Sequence, residues 1–227
     1  MGLDGAVRTT VQQRSATPGS TLVLTLDADL QRALQDALRN RIETLRTTAA
    51  MGGGRECNAG AAVVVDVKTG GILAAANWPG YDLNDYRTGY AALATDQGAP
   101  LLDRAFQGLY APGSAFKPAV AAAALTAGIA PTATVNCTGR YLYYSGYQPG
   151  CLQYGHSGPV DLRTALEQSC NIFFYDVGRR LGVDTFSAMA RQLGLASPTG
   201  AEVSEAEGRL TWSTDDNYQA GLTLMAA

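Results

Sequence analysis

The chain has 227 residues, 46% of them hydrophobic, and a formal net charge of −3, with a sequence pI near 5.1. This length and apolar content suit one domain with a sizeable core and exclude collagen-like or disordered classes. The acidic balance, without a Lys/Arg cluster, argues against a nucleic-acid surface. Because no apolar run reaches the roughly 18 residues of a membrane span and no signal peptide follows Met1, we expect a soluble chain without a transmembrane segment.

The first part of the chain predicts a lead-in, a helix and a hairpin. Residues 1–20 are rich in Thr, Gln, Gly and Ser and are interpreted as a lead-in or the remnant of a preceding region. Residues 21–26 alternate like a strand, and Asp27 is an N-cap for an amphipathic helix with leucines at helical spacing. The apolar runs 60–66 and 72–77 flank a Gly-containing turn, which predicts a β-hairpin.

The segment 110–118, Tyr-Ala-Pro-Gly-Ser-Ala-Phe-Lys-Pro, places Ser114 and Lys117 three residues apart where a helix should begin. Residues at i and i+3 share one helix face, so the Lys117 amine can reach the Ser114 hydroxyl and, if desolvated, accept its proton. Only two of the 17 basic residues are lysines, which gives a chance expectation of about 0.09 Ser-x-x-Lys matches. The pair is therefore a candidate nucleophile and its base.

Four helices and a long excursion are predicted after this segment, the last two helices at residues 172–181 and 184–194. The alanine-rich run 119–127 indicates a short buried helix, and residues 131–159 form an excursion rich in Tyr, Gly and Pro. Residues 160–168 resume as a helix that is interrupted at Ser169-Cys-Asn171. A hydroxyl and a carboxamide at such a break could point into one cleft, although an ordinary N-cap explains the same pattern.

A Ser-His-Asp triad is the first hydrolase mechanism to weigh. His156 is the only histidine, it lies in a Gly-flanked loop, and no Gly-x-Ser-x-Gly elbow occurs in the chain. A lysine base suits the residues better, with Ser169 and Asn171 as further candidates for the site.

Three of the four cysteines lie near the only histidine, which indicates a metal site composed of Cys137, Cys151, His156 and Cys170. A Cys₃His set forms a closed tetrahedral zinc site and would tie the excursion to the Ser169-Asn171 backbone. The alternative is a Cys137–Cys151 disulfide, reasonable outside the cytoplasm, with His156 at the surface and Cys170 a buried thiol. The sequence leaves zinc, the disulfide and unbonded thiols open.

Taken together, these residues resemble the transpeptidase domain of class B penicillin-binding proteins. The matching stretches, in the family's order, are Leu26-Asp-Ala-Asp-Leu-Gln31, Asp66-Val-Lys-Thr-Gly-Gly-Ile-Leu-Ala74, Pro79-Gly-Tyr-Asp-Leu-Asn84, Arg104-Ala105 with Tyr110 to Pro118, and Ser169-Cys-Asn171. The Cys/His-bearing loop before Ser169 favours the elongation (rod-shape) branch over the septal one. The resemblance implies an α+β, β-lactamase-like transpeptidase fold with helices around an antiparallel sheet, of which residues 21–227 form the N-terminal and central part.

The resemblance implies a cell-wall enzyme that cross-links peptidoglycan through an acyl-serine intermediate. Ser114 would attack the penultimate D-Ala carbonyl of a stem peptide ending in D-Ala-D-Ala, with Lys117 as the general base. Ser169 would relay the proton to the leaving amine, and Asn171 would hold the substrate amide. β-Lactams would acylate Ser114 as mimics of the peptide. Catalysis would need no cofactor, although some elongation-type relatives are similar in carrying zinc beside the Ser-x-Asn motif.

One departure concerns the family's third motif, Lys-Thr/Ser-Gly, which lies on a strand after Ser-x-Asn. Lys68-Thr69-Gly70 precedes Ser114 and matches the family's N-terminal hairpin instead. The third motif is therefore expected beyond residue 227, together with the strands that complete the sheet. We expect an incomplete sheet, weak or no activity, and self-association through uncovered apolar surface.

The resemblance also implies a parent protein anchored in the bacterial membrane, with this domain on the extracytoplasmic face and a glycosyltransferase as partner. Two other classes stay open: a non-catalytic fragment or interaction module, and a β-lactamase or β-lactam sensor of the same fold. The stretch 66–84 favours the penicillin-binding proteins over the β-lactamases and sensors. Covalent labelling by a β-lactam distinguishes the enzyme from the non-catalytic fragment.

Overall fold

The computed structural model describes residues 17–49, 54–151 and 156–215. Its elements in chain order are α1 (Ala28–Thr48), β1 (Gly60–Val65), β2 (Ile72–Trp78), α2 (Tyr86–Thr95), α3 (Arg104–Gln107), α4 (Lys117–Thr126), β3 (Val135–Cys137), β4 (Gly158–Val160), α5 (Leu162–Glu167), α6 (Asn171–Leu181) and α7 (Val183–Gln192). Helices accompany two antiparallel strand pairs, β1–β2 and β3–β4, which confirms the predicted α+β class. The prediction for residues 1–16 lies outside the described residues.

The predicted first helix is present as α1, which packs on β2. The Asp27 carboxylate accepts hydrogen bonds from the backbone N–H groups of Asp29 and Leu30 and so satisfies two free donors of the first turn. The Gln31 side chain pairs with the Ala75 backbone, donating to its carbonyl at 2.7 Å and accepting from its N–H at 2.8 Å. Within the described parts of the chain, no helix is both long enough and apolar enough to cross a bilayer.

The predicted strand at residues 21–26 is wrong. This segment has no regular strand structure, and Leu22, Val23 and Leu24 are exposed. It touches β2 only near its end, where the Thr25 hydroxyl donates to the Ile72 carbonyl at 2.6 Å. An alternating pattern becomes a strand only when a neighbouring strand pairs with its backbone and a core covers its apolar face. Neither is present for this segment among the described residues.

The predicted hairpin is confirmed by the antiparallel pairing of β1 with β2. The turn between them is shaped by Asp66, whose carboxylate accepts from the Lys68 N–H and the Thr69 hydroxyl. Gly70 takes a φ of 76°, a left-handed conformation that glycine adopts without a Cβ clash. Lys68-Thr69-Gly70 is thus turn structure in this chain. No third described strand extends this sheet, in agreement with the expected incomplete sheet.

The buried core lies between α4, α5, α6 and α7. Its largest fully buried side chains include Phe173, Phe174 and Phe186, and each such side chain contributes about 1.5–3 kcal/mol when it leaves water. The alanines of α4 are almost all buried, and their small size lets α6 and α7 approach closely. This packing fixes the start of α4 against the start of α6, and these two helix starts carry the candidate site.

Candidate active site

Ser114 lies in a 3₁₀ turn, Gly113–Phe116, that leads directly into α4. The Lys117 N–H donates to the Ser114 carbonyl, and Pro118 occupies the first turn, where no N–H is needed for the helix. The predicted helix start near Ser114 is confirmed. The turn leaves Ser114 exposed and directs Lys117 into the protein, where only 2% of its surface is accessible.

The Lys117 amine donates to three oxygen atoms that all come from the break between α5 and α6. Nζ lies 2.8 Å from the Ser169 carbonyl, 2.9 Å from Ser169 Oγ and 2.6 Å from Asn171 Oδ1. The Phe174 ring covers the amine from one side, with its centroid 5.5 Å from Nζ. Burial lowers the pKa of Lys117 from its ordinary value, and the electrostatic influence of the neighbouring Cys151 and Cys170 sulfur atoms partly opposes this effect.

Ser169 connects the buried amine to the exposed serine. Its Oγ lies 3.0 Å from Ser114 Oγ and 2.9 Å from Lys117 Nζ. No direct hydrogen bond joins the Lys117 amine to the Ser114 hydroxyl among the described residues, so the link predicted from their spacing passes through Ser169. Ser169 has a φ of 53°, a left-handed conformation that costs a residue with a Cβ about 1–2 kcal/mol. That conformation turns both Ser169 oxygens toward Lys117.

Asn171 begins α6, as the predicted break between helices requires. Its side-chain amide bridges two groups: Oδ1 accepts from Lys117, while Nδ2 donates to the Gly150 carbonyl at 3.3 Å. No pattern in the sequence pointed to Gly150. Phe174 was detectable, since it lies three residues after Asn171 and therefore on the same face of α6. Four predicted residues, Ser114, Lys117, Ser169 and Asn171, thus form one connected group.

The four predicted metal ligands are also brought together. The ligand atoms of Cys137, Cys151, His156 and Cys170 all lie within 4.8 Å of one another. Cys151 Sγ is 3.4 Å from His156 Nε2 and 4.0 Å from Cys170 Sγ. Pairing of β3 with β4 sets Cys137 opposite Gly158, which brings the first cysteine close to His156 although the excursion separates them in sequence.

This cluster has the chemistry and size of a zinc site. Sulfur atoms around a tetrahedral zinc ion stand about 3.8 Å apart, given Zn–S bonds of about 2.3 Å, so the observed separations need only small shifts. Burial raises the pKa of Cys170 to about 12, and a bound cation would favour its thiolate instead. His156 Nδ1 is buried without a hydrogen-bond partner among the described residues. All four cysteines are free thiols, so the alternative Cys137–Cys151 disulfide is absent.

Comparison with known proteins gives one consistent family. The profile of the penicillin binding protein transpeptidase domain matches residues 60–222, which is more than half of the chain. Peptidoglycan D,D-transpeptidase MrdA of Haemophilus influenzae is 32% identical over 209 residues, which cover 88% of this chain and 29% of that protein. The chain therefore spans less than a third of the length of this curated relative.

Solved structures of other proteins share the fold of this chain. Pseudomonas aeruginosa PBP2, in complex with WCK 5153, superposes with a TM-score of 0.74 at 30% identity and covers 92% of this chain and 47% of that one. Penicillin-binding protein A of Mycobacterium tuberculosis, as its penicillin G acyl-enzyme complex, gives a TM-score of 0.71 at 29% identity, covering 89% and 46%. With its Ser-x-x-Lys and Ser-x-Asn motifs joined in one site, this chain belongs to the class B penicillin-binding protein transpeptidase family.

Proposed function

We propose that this chain is the acyl-enzyme-forming part of a peptidoglycan D,D-transpeptidase, with Ser114 as its nucleophile. The observation that carries the proposal is the hydrogen-bonded series from Lys117 through Ser169 to Ser114, which joins a desolvated amine to an exposed hydroxyl. The MrdA relative supports the reaction, and the penicillin G acyl-enzyme of the mycobacterial protein supports covalent capture of β-lactams. Residues 21–227 are proposed to form the N-terminal and central part of the domain.

Acylation starts when Lys117 is neutral. Hydroxyl hydrogens rotate, so the direction of donation can reverse along the same contacts. The Ser114 hydroxyl then donates to Ser169 Oγ, and the Ser169 hydroxyl donates to the lone pair of the Lys117 amine. Ser114 Oγ attacks the penultimate D-Ala carbonyl of a stem peptide ending in D-Ala-D-Ala, and its proton passes to Lys117. The positive end of the turn and helix that follow Ser114 favours the negative charge that develops on oxygen.

Collapse of the tetrahedral intermediate breaks the C–N bond of the terminal D-Ala. The proton held by Lys117 returns through Ser169 to the leaving amine, which departs as free D-Ala. An amine of a neighbouring stem peptide then attacks the Ser114 ester, loses a proton to the same relay and restores the serine hydroxyl. The Asn171 amide is placed at the edge of this relay, where it can hold a substrate amide.

The proposal extends to the branch of the family, the location and the partner of the parent protein. We assign it to the elongation (rod-shape) branch, supported by the MrdA relative and by the Cys/His cluster beside the Ser-x-Asn motif. The parent protein is then anchored to the bacterial membrane, exposes this domain on the extracytoplasmic face and works with a glycosyltransferase. The substrate class is the peptidoglycan stem peptide, and catalysis itself uses no cofactor.

Mass spectrometry tests the proposal. After long incubation with a penicillin, the intact chain should gain the mass of one β-lactam, and peptide mapping should locate the ester on Ser114. An adduct on any other residue, or no adduct in a folded chain, contradicts the proposed function.

Substitution of Ser169 separates backbone strain from proton transfer. Ser169→Ala and Ser169→Gly both remove the hydroxyl and should slow acylation about 10²-fold, as measured with a fluorescent penicillin. Because φ is 53° at this position, the glycine variant should be more stable than the alanine variant by about 1 kcal/mol. Urea denaturation of the two variants measures the difference. Equal stabilities would contradict the strain at Ser169, and undiminished labelling would contradict the relay.

We also propose that Cys137, Cys151, His156 and Cys170 hold a structural zinc ion. Three thiolates and one imidazole complete a tetrahedral shell, and a closed shell of this kind stabilises a fold without taking part in the reaction. The ion would tie the Tyr-rich excursion to the backbone between Ser169 and Asn171. It would also neutralise thiolate charge close to the Lys117 amine.

Metal analysis and calorimetry check the zinc proposal. Protein purified without chelator should contain about one zinc per chain, and Cys170→Ser should lose it together with about 5 °C or more of thermal midpoint. Cys57→Ser is the matched control, because Cys57 lies outside the cluster, and it should keep its zinc. Added EDTA should destabilise the unsubstituted chain and Cys57→Ser alike. A metal-free protein whose mass lacks two protons, with fewer titratable thiols, would contradict the site.

A further inference from the structure

Asp176 is a buried carboxylate that the proposed reaction does not use. It lies on α6 and is 8% exposed. Its Oδ1 accepts from the Tyr141 hydroxyl at 3.1 Å and from Arg179 Nη2 at 3.2 Å, while Arg180 contacts Oδ2. A carboxylate is costly to bury unless it is paired and hydrogen-bonded. The hydrogen bonds to Oδ1 and the ion pair of Oδ2 with Arg180 offset this cost, and the four residues form one connected unit.

Tyr141 is the only member of this unit that does not belong to α6. It is 6% exposed, and its hydroxyl both donates to Asp176 and accepts from Arg179 Nε at 2.9 Å. Its ring packs against the Tyr175 ring with centroids 5.9 Å apart. Burial raises the pKa of Tyr141, so the hydroxyl keeps the proton that it donates. Tyr141 thereby fastens the excursion to the second and third turns of α6.

The excursion folds back on itself around Tyr141, in a segment that we name the 139–151 hairpin. The Tyr141 N–H donates to the Pro149 carbonyl at 2.9 Å, and the Cys151 N–H donates to the Gly139 carbonyl at 2.9 Å. Arg140 is paired with Gly150 in an antiparallel bridge. The position of Tyr141 therefore sets the position of Gly150 on the returning arm.

Gly150 in turn orients the catalytic amide. An asparagine amide has an acceptor on one side and a donor group on the other. Because the Gly150 carbonyl accepts from Nδ2 at 3.3 Å, Oδ1 faces Lys117 at 2.6 Å. The opposite orientation would place the NH₂ group against the lysine amine and the amide oxygen against a carbonyl, and both pairings are unfavourable.

We propose that Tyr141 is a positioning residue for acylation: its hydroxyl, held by Asp176 and Arg179, fixes the 139–151 hairpin so that the Gly150 carbonyl orients Asn171 toward Lys117. The inference rests on the proposed function for its catalytic consequence. Tyr141 acts through Asn171, since its hydroxyl contacts neither Ser114 nor Lys117. A bound metal ion at Cys151 would hold the same arm from its other end.

A double-mutant cycle tests this action. Tyr141→Phe keeps the ring and removes only the hydroxyl, whereas Tyr144→Phe makes the same change on the same hairpin where the hydroxyl has no hydrogen bond among the described residues. At matched zinc content, Tyr141→Phe should slow acylation by a fluorescent penicillin about tenfold, and Tyr144→Phe should leave the rate unchanged. In an Asn171→Ala background, Tyr141→Phe should change the rate less than about twofold. If Tyr141→Phe slowed acylation by the same factor with and without Asn171→Ala, the proposal would be overturned, since the effect would be a general structural one.

The solvent-exchange rate of the Asn171 side-chain amide, measured without a β-lactam, tests this inference separately from the proposed function. In ¹⁵N-labelled protein, the Asn171 side-chain amide, assigned by its loss in Asn171→Ala, should exchange with solvent about tenfold faster after Tyr141→Phe and at an unchanged rate after Tyr144→Phe. If the chain forms no β-lactam adduct, the proposed function fails and this exchange rate still decides the positioning role. Unchanged exchange in Tyr141→Phe overturns it. Should Tyr141→Phe fail to fold, Arg179→Leu takes the place of that variant in both measurements, because it removes one hydrogen-bond partner of the Tyr141 hydroxyl.

Discussion

Replacement of Ser114 with alanine is expected to abolish the β-lactam adduct completely. The adduct is an ester to Ser114 Oγ, and alanine offers no atom to form it. The fold should be retained, because Ser114 is exposed and its side chain is hydrogen-bonded only to Ser169 among the described residues. Intact-mass spectrometry after penicillin treatment measures the labelled fraction, and circular dichroism verifies the fold.

Ser204→Ala is the control for this substitution. Ser204 is also exposed, and its hydroxyl has no hydrogen-bond partner in the described segments, so labelling should equal that of the unsubstituted chain. An adduct that persists in Ser114→Ala would locate the nucleophile elsewhere and would remove the main support for a serine acyltransferase.

Replacement of Lys117 with methionine is expected to slow acylation by about 10²- to 10⁴-fold, the usual contribution of a general base. Methionine fills similar space, but it cannot accept the proton that Ser169 passes inward. The labelling rate of Ser114 with a fluorescent penicillin measures the effect. Lys68→Met is the matched control, because Lys68 is the other lysine and lies exposed in the hairpin turn. Similar rates in Lys117→Met and Lys68→Met would contradict the role of Lys117 as base.

The pH dependence of acylation provides a second check on Lys117. Only the neutral amine accepts a proton, so the rate should rise with pH and level off above the pKa of Lys117. Burial lowers that pKa from the ordinary lysine value, so the rise should be centred below about pH 10. Lys117→Met should lose this limb of the profile. A rate independent of pH in the unsubstituted chain would argue that another group takes the proton.

Local sequence determined much of the secondary structure. Asp27 fixes the start of α1 because its carboxylate caps the first turn, and Lys68-Thr69-Gly70 forms the turn of the hairpin because Gly70 tolerates a positive φ. The Ser114–Lys117 spacing and the break before Asn171 were predictable for the same reason. Each depends on backbone preferences and hydrogen bonds within a few residues, and these act before distant parts of the chain meet.

The sequence alone also selected the eight candidate site residues, since their chemistry was unusual for this chain. A lysine among many arginines and a histidine near three cysteines were evident without a structure. How they connect was not evident. The direct contact expected between the Lys117 amine and the Ser114 hydroxyl is replaced by a link through Ser169.

Tertiary structure decided the remaining features, because each depends on residues far apart in the chain. The segment 21–26 has the alternation of a strand and is not one, since no described neighbour pairs with it. Three features arise only when α4, α6 and the 139–151 hairpin pack together. They are the left-handed conformation of Ser169, the hydrogen bond from Asn171 to the Gly150 carbonyl, and the hydrogen bond from Tyr141 to Asp176. Sequence periodicity reports which face of an element is apolar, whereas the partners of a buried polar atom are fixed by packing and by the cost of leaving that atom unpaired.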